Sequence, residues 1–206
     1  MNAELERVSE ELIARARGKA RFLVAIAGPP GSGKSTFVEQ LADALRMNGE
    51  QTAIVPMDGF HLDDTVLRDK GLLERKGAPE TFDIRGLADI VRALRDAGGE
   101  VFIPLFDRSR ELAIAAARTV SPRHRFVLIE GNYLLLDQEP WARLAGMFDV
   151  TIMLQASTGT LEERLMERWR TLGLSEEAAR AKVSGNDMPN GDLVRSHSRS
   201  ADITLP

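Results

Sequence analysis

Gly28, Gly33, Lys34 and Ser35 stand in the spacing G-x-x-x-x-G-K-S, with Gly31 and Ser32 inside it and Thr36 after it. That spacing suits phosphate chemistry. Glycines let the backbone fold around an anion without Cβ clashes. Backbone N–H groups and the positive end of a helix then face the phosphates. Lys34 can reach the β- and γ-phosphates, and the Ser35 hydroxyl can bind Mg²⁺. The flanks agree with this reading. Phe22-Leu23-Val24-Ala25-Ile26-Ala27 is a short apolar run of the kind a buried strand needs, and Phe37, Leu41, Ala44 and Leu45 recur at helical spacing. A chance glycine-rich turn would not lie between such a strand and such a helix. These residues imply a bound nucleoside triphosphate, but they do not say where its γ-phosphate goes.

Two carboxylates follow apolar runs further along the chain. Glu130 ends Phe126-Val127-Leu128-Ile129, where an acidic strand end would meet Mg²⁺ directly or through water. Asp58 ends the strand Thr52 to Met57. Ligands of open α/β sheets bind at the carboxyl ends of strands. With strand two expected beside the sheet centre, Asp58 would overlook the γ-phosphate and accept a hydroxyl proton as a general base. Gly59 and Phe60 would shape the turn and one wall of an acceptor pocket, and His61 would touch the acceptor. Arg164 and Arg168 are four residues apart on one helical face, where they could clamp the charge that develops during phosphoryl transfer. Each candidate has a plain alternative: a solvated loop acid for Glu130, an Asx turn for Asp58, surface ion pairs for the arginines. His124 and His197 read as surface residues, and three scattered histidines give no metal-ligand spacing.

The elements that must position these groups alternate strand-like and helix-like along the chain. This predicts an α/β fold, a three-layer parallel sheet of about five strands with helices on both faces and a short helical lid. A chain of 206 residues, 43% hydrophobic, suits one domain over 1–206. A polar acceptor-site insertion is expected at about 59–83 and the lid at about 158–185. The segment Arg110 to Thr119 is ambiguous, its alanines favouring helix. The net charge of −4 gives no global pull toward nucleic acid or anionic membrane. No cysteine is present, which excludes thiolate catalysis and cysteine-ligated metals. The amphipathic, charged N-terminus does not read as a secretory leader, and no apolar run reaches the roughly 18 residues that span a bilayer. The expectation is a cytoplasmic protein, monomer or homodimer, with no nucleic-acid or membrane partner.

Several motifs now coincide. The phosphate loop, Met57-Asp58-Gly59-Phe60 and Ile129-Glu130-Gly131 resemble, in order, the P-loop kinase superfamily of uridine kinases, bacterial-type pantothenate kinases and phosphoribulokinases. Arg75-Lys76-Gly77-Ala78-Pro79-Glu80-Thr81-Phe82-Asp83 is similar to a segment of pantothenate kinases. Glu130-Gly131-Asn132-Tyr133-Leu134-Leu135-Leu136, with Phe106-Asp107-Arg108 and Asn186-Asp187, resembles a bacterial fructokinase-like, sugar-transport-associated subgroup. The resemblance runs from about residue 20 onward. It implies ATP and Mg²⁺ as cofactors, Asp58 as catalytic aspartate, Lys34, Ser35 and Glu130 around phosphates and metal, and Arg164 as lid arginine. It also implies Arg75, Lys76, Asp83, Asn132 and Tyr133 near the acceptor, and Asn186, Asp187 and Asn190 near the nucleotide base. Gly59 departs from the serine that uridine kinases carry there.

The leading expectation is a kinase for a hydroxyl of a small molecule, a fructose-like sugar or related metabolite. Pantothenate and nucleosides stay open as acceptors, although one tyrosine and two tryptophans offer no obvious stacking platform for a nucleoside. An NTPase switch or chaperone-like protein is the alternative of another class. It would need a base-reading Asn-Lys-x-Asp and a water-orienting glutamine after the acidic strand, and neither is present.

Overall fold

The computed structural model describes residues 3–96 and 98–206. Along the chain lie α1 (Ala3–Arg15), β1 (Phe22–Ala27), α2 (Lys34–Met47), β2 (Thr52–Pro56), α3 (Asp64–Asp69) and α4 (Ile84–Asp96). Then come β3 (Val101–Asp107), β4 (Leu112–Val120), β5 (Phe126–Glu130) and β6 (Val150–Leu154). The chain closes with α5 (Thr158–Thr171), α6 (Glu176–Lys182), α7 (Met188–His197) and β7 (Ile203–Leu205).

Five strands form one parallel sheet in the order β2-β5-β1-β6-β7. Every residue of β1 is buried, as a central strand covered on both faces requires. Its side chains divide by parity. Phe22, Val24 and Ile26 join the apolar cluster under α1 and α2, while Leu23, Ala25 and Ala27 join the cluster under α4. The expected three-layer α/β fold is therefore present, built by alternation within each strand.

The sheet register sets the site. Ile26 of β1 and Pro56 of β2 both stand opposite Glu130 of β5. Three strands thus end level, and the chain leaving each one emerges on the same rim. From β1 that chain is the phosphate loop; from β2 it is a one-turn helix, Met57–Phe60, that carries Asp58.

Two expectations are corrected. The segment from 110 to 119 is not helical. β3 and β4 form an antiparallel hairpin in which Ile103 and Val120 enter the core while residues 115–119 stay exposed. Cross-strand pairing and two anchoring apolar residues override the alanines' helix preference. Strand two also lies at the sheet edge, with β5 between it and β1. Asp58 still borders the phosphate-loop cavity, and the hairpin folds over that edge. Arg118 Nη1 of β4 donates to the Ile54 carbonyl of β2 at 3.1 Å. Gly59 passes so close to the Pro104 carbonyl of β3 that a Cβ would collide with it, which excludes a serine here.

One half-buried acid ties the layers together. Asp149, just before β6, accepts the Leu23 N–H at 2.8 Å and Lys19 Nζ at 2.8 Å, with Arg95 at 3.6 Å. Burial raises its pKa, but these hydrogen bonds and cations outweigh that and hold it below the ordinary range. Asp149→Ala should cost about 2 kcal/mol, the scale of a charged hydrogen bond, in urea unfolding at neutral pH. A depressed carboxyl stabilises above its unfolded-state pKa and stops doing so as pH falls through the folded value. The difference between wild type and variant should therefore begin to shrink as pH falls to about 4, the unfolded-state value, and close only below it.

Candidate active site

The phosphate loop takes its shape from two left-handed glycines, Gly31 at φ 80° and Gly33 at φ 88°. Gly33 precedes α2, and no side chain caps that helix. Its first N–H groups are therefore left for a ligand, which the helix dipole favours if it is an anion. Lys34 is 8% exposed, and its Nζ donates to the Pro29 carbonyl at 3.0 Å and to Ser32 Oγ at 3.5 Å. Burial lowers its pKa to about 8, while Glu130 and Asp58 pull it back up.

Ser35 Oγ donates to Glu130 Oε1 at 3.5 Å. Burial raises the Glu130 pKa, and Lys34 opposes that shift. A hydroxyl and a carboxylate at this spot are hard oxygen donors, the kind Mg²⁺ takes together with nucleotide phosphates and water. Among the described residues no three His, Cys, Asp or Glu side chains group around a metal position. The pair Ser35 and Glu130 thus fits a divalent ion that shares its shell with a nucleotide. A cavity of about 190 Å³ lies here, bordered by the loop, Asp58, Glu130, Asn132, Arg108 and Arg168.

Asp58 also borders a second crevice, next to the first, and there its Oδ2 accepts Arg108 Nη2 at 2.5 Å. Asn132, Arg108 and Arg168 border both spaces. The far wall is aromatic. His61 stacks on Phe82 with ring centroids 4.1 Å apart and lies 4.9 Å from Phe106. Burial lowers the His61 pKa to about 4, so the ring is neutral at pH 7. Lys76 Nζ is held by Asp64 at 2.7 Å and by the Glu111 carbonyl at 2.9 Å, and it sits over Phe106.

Another side comes from α5 to α7. Ser157 caps α5 by accepting the Thr160 N–H. Arg164 Nη1 then reaches the Gly31 carbonyl at 3.3 Å, over the phosphate loop. Arg168, one turn on, faces both spaces; protein atoms crowding its guanidinium and then Arg108 lower its pKa. Trp169 Nε1 donates to Asp187 Oδ2 at 2.6 Å, and burial raises the Asp187 pKa.

Of the sequence candidates, the fold brings Lys34, Ser35, Glu130, Asp58, His61, Lys76, Asn132 and Arg168 around these two spaces. Others are spent on the scaffold. Arg75 pairs with Glu80 at 2.9 Å, outside the crevice. Asp83 Oδ1 accepts the Gly86 N–H at the start of α4. Phe60 is core, and buried Tyr133 donates its hydroxyl to the Gly77 carbonyl at 2.6 Å, bracing the crevice from behind. Asn186, expected near the nucleotide base, donates instead to the Lys76 carbonyl at 3.0 Å and is itself bonded by Asn190. Asp187 and Asn190 border the Asp58 crevice, across from Lys76. A larger space of about 560 Å³, bordered by Ser32, Gln155, Ser157 and Arg164, opens on the other side of the loop. Arg108, Trp169, Lys182 and Glu111 were not sequence candidates. The signal for Arg108 was its place in Phe106-Asp107-Arg108; the ambiguity of the next segment, whose alanines favour helix, hid the turn that folds it back over Asp58.

The Phosphoribulokinase / Uridine kinase family model matches residues 23–205. The chain is 45% identical to a proposed fructose transport system kinase from Silicibacter sp. TM1040, with a TM-score of 0.94 and 100% of each chain covered. It is 34% identical to an uncharacterized protein of Escherichia coli (strain K12), over 99% of this chain and 88% of that one. A proposed uridine kinase of Schizosaccharomyces pombe is also 34% identical, over 90% of this chain and 83% of the other.

The depressed Lys34 pKa makes triphosphate binding proton-linked. Phosphate charge beside the ammonium should raise its pKa well above the free value of about 8. Between pH 8 and 9, binding should take up part of a proton, and affinity should fall as pH rises through that window. Calorimetric titration with a triphosphate in two buffers of different ionisation enthalpy measures the uptake. Lys34→Arg should abolish it.

Proposed function

We propose that this chain, which belongs to the phosphoribulokinase/uridine kinase family, transfers the γ-phosphoryl group of ATP to a hydroxyl of a small sugar-like acceptor. The observation that carries the reading is the position of Asp58. Its carboxylate borders the phosphate-loop cavity and the adjoining crevice at once. An acceptor hydroxyl in the crevice can therefore meet both a proton acceptor and the terminal phosphate. With Oδ2 held by Arg108, Oδ1 is left to take the hydroxyl proton.

The step then balances as follows. The acceptor oxygen forms a bond to the γ-phosphorus, its proton passes to Asp58, and the bond to the β-phosphate oxygen breaks, leaving ADP. Lys34 and the α2 N–H groups hold the phosphates, and Arg168 meets the spreading equatorial charge. Ser35 and Glu130 would hold Mg²⁺, which supplies charge neutralisation on the β- and γ-phosphate oxygens when bound. The nucleoside would occupy the space by Gln155 and Arg164, since the crevice on the other side belongs to the acceptor. The sugar-like acceptor is supported by likeness to the Silicibacter protein at 45% identity.

Asp58→Asn should leave ATP binding nearly unchanged and reduce transfer by roughly 10²–10⁴, the usual worth of a general base. Full-rate transfer by that variant would remove the base assignment. Arg168→Ala should lower kcat by about 10², and Arg164→Ala by less, because Arg164 reaches the loop backbone and does not face the crevice. Steady-state kinetics on both variants decides between the two arginines.

A further inference from the structure

Resting on the kinase reading, we infer that the acceptor carries an anionic group, a carboxylate or a phosphate, at the end remote from the hydroxyl that reacts. The crevice holds cations that the protein leaves without a partner. Lys76, Arg108, Arg168 and Lys182 border it against Asp58, Glu111 and Asp187. Arg108 is taken by Asp58, and Lys76 by Asp64 and Glu111. The side chains of Arg168 and Lys182 make no ion pair or hydrogen bond among the described residues. Both lie against the Trp169 ring, at 5.6 Å and 5.2 Å from its centroid. Asp187 is near enough to feel both charges, but its carboxylate is engaged by the Trp169 N–H, and burial shifts it toward the neutral form.

The two free cations have different places. Arg168 also borders the phosphate-loop cavity, so the transferring phosphoryl group meets it. Lys182 borders only the outer crevice. Its position in the last turn of α6 answers to the helix dipole, yet its ammonium lies on the Trp169 ring inside the crevice. A neutral acceptor would strip water from these cations and return no counter-charge, which is costly. An acceptor with a hydroxyl at Asp58 and an anion at Lys182 satisfies both ends. Phe106 and Trp169, under Lys76 and Lys182, hold the ammonium groups in place for it.

A coupled ADP-release assay with matched pairs tests this: glycerol against D-glycerate, glucitol against gluconate, fructose against fructose 6-phosphate, with uridine as a neutral nucleoside. At least one anionic member should exceed its neutral partner in kcat/KM by about 10²-fold, the scale of a charge-assisted contact. The acid and phosphate pairs distinguish carboxylate from phosphate. Lys182→Ala should raise KM for that acceptor by about 10–100-fold, far more than it moves KM for ATP, and Lys182→Arg should retain most of the affinity. If a neutral member is turned over as well as its anionic partner, or Lys182→Ala weakens both equally, the anionic assignment is overturned while the kinase reading stands. If wild type binds ATP but phosphorylates no member of the set, the kinase reading falls and this inference with it.

Discussion

Ile26 and Pro56 both stand opposite Glu130, and the site depends on that register. Because three strands end level, the phosphate loop, Asp58 and Glu130 share one rim. The chemistry there is a confined charge set. Burial pushes Lys34 and Glu130 toward their neutral forms, lowering one pKa and raising the other, and each partly opposes the shift of its neighbour. Their attraction does not repay the loss of water for two buried ions. A triphosphate with a divalent cation would supply the missing partner to each, phosphate for the lysine and metal for the carboxylate. Binding energy would then be gained from a preformed pocket without refolding it.

The adjoining crevice is built differently, by reaching across the molecule. The β3–β4 hairpin belongs to no strand of the main sheet, yet it delivers Arg108 to Asp58 and Phe106 to the crevice wall. It is fixed by the Gly59–Pro104 approach and by Arg118 on the Ile54 carbonyl. Segment 76–79 opposes it and is clamped through its own carbonyls. Asn186 binds that of Lys76, Tyr133 that of Gly77 and Trp141 that of Pro79. Side chains that never face the crevice therefore set its width.

This division explains what was legible in the sequence. The places of the phosphate loop, Glu130 and Asp58 on the sheet rim were readable because each depends on a local pattern, an apolar strand followed at once by the residues in question. The five-strand sheet was readable for the same reason. The hairpin was not, because the exposed segment 115–119 carries no periodic burial, and only pairing with β3 fixes it. Arg108, Trp169 and Lys182 acquire their setting from segments 50 or more residues away, or from the turn between α5 and α6, and no spacing rule reports that. Arg75, Asp83, Asn186 and Tyr133 were picked out by resemblance, which selects residues important to a region without separating those that touch a ligand from those that hold the wall.

The aromatic residues show how that separation works physically. With one tyrosine and two tryptophans the chain offered no obvious stacking surface, and the fold spends those rings elsewhere. Tyr133 and Trp141 are buried against each other and Phe82. His61 has Phe82 on one side and Phe106 on another. Trp169 carries Arg168 and Lys182, and Phe106 carries Lys76. A ring already occupied by a cation receives a flat ligand poorly, whereas the cation it supports is held with less side-chain entropy left to lose. Neutral His61 adds hydrogen-bonding capacity without adding charge. On the proposed reading the crevice would recognise a small flexible molecule by charge and hydroxyl geometry and not by stacking, and its selectivity would reside in where the cations are held, on α5, α6, segment 76–79 and the hairpin, outside the main sheet.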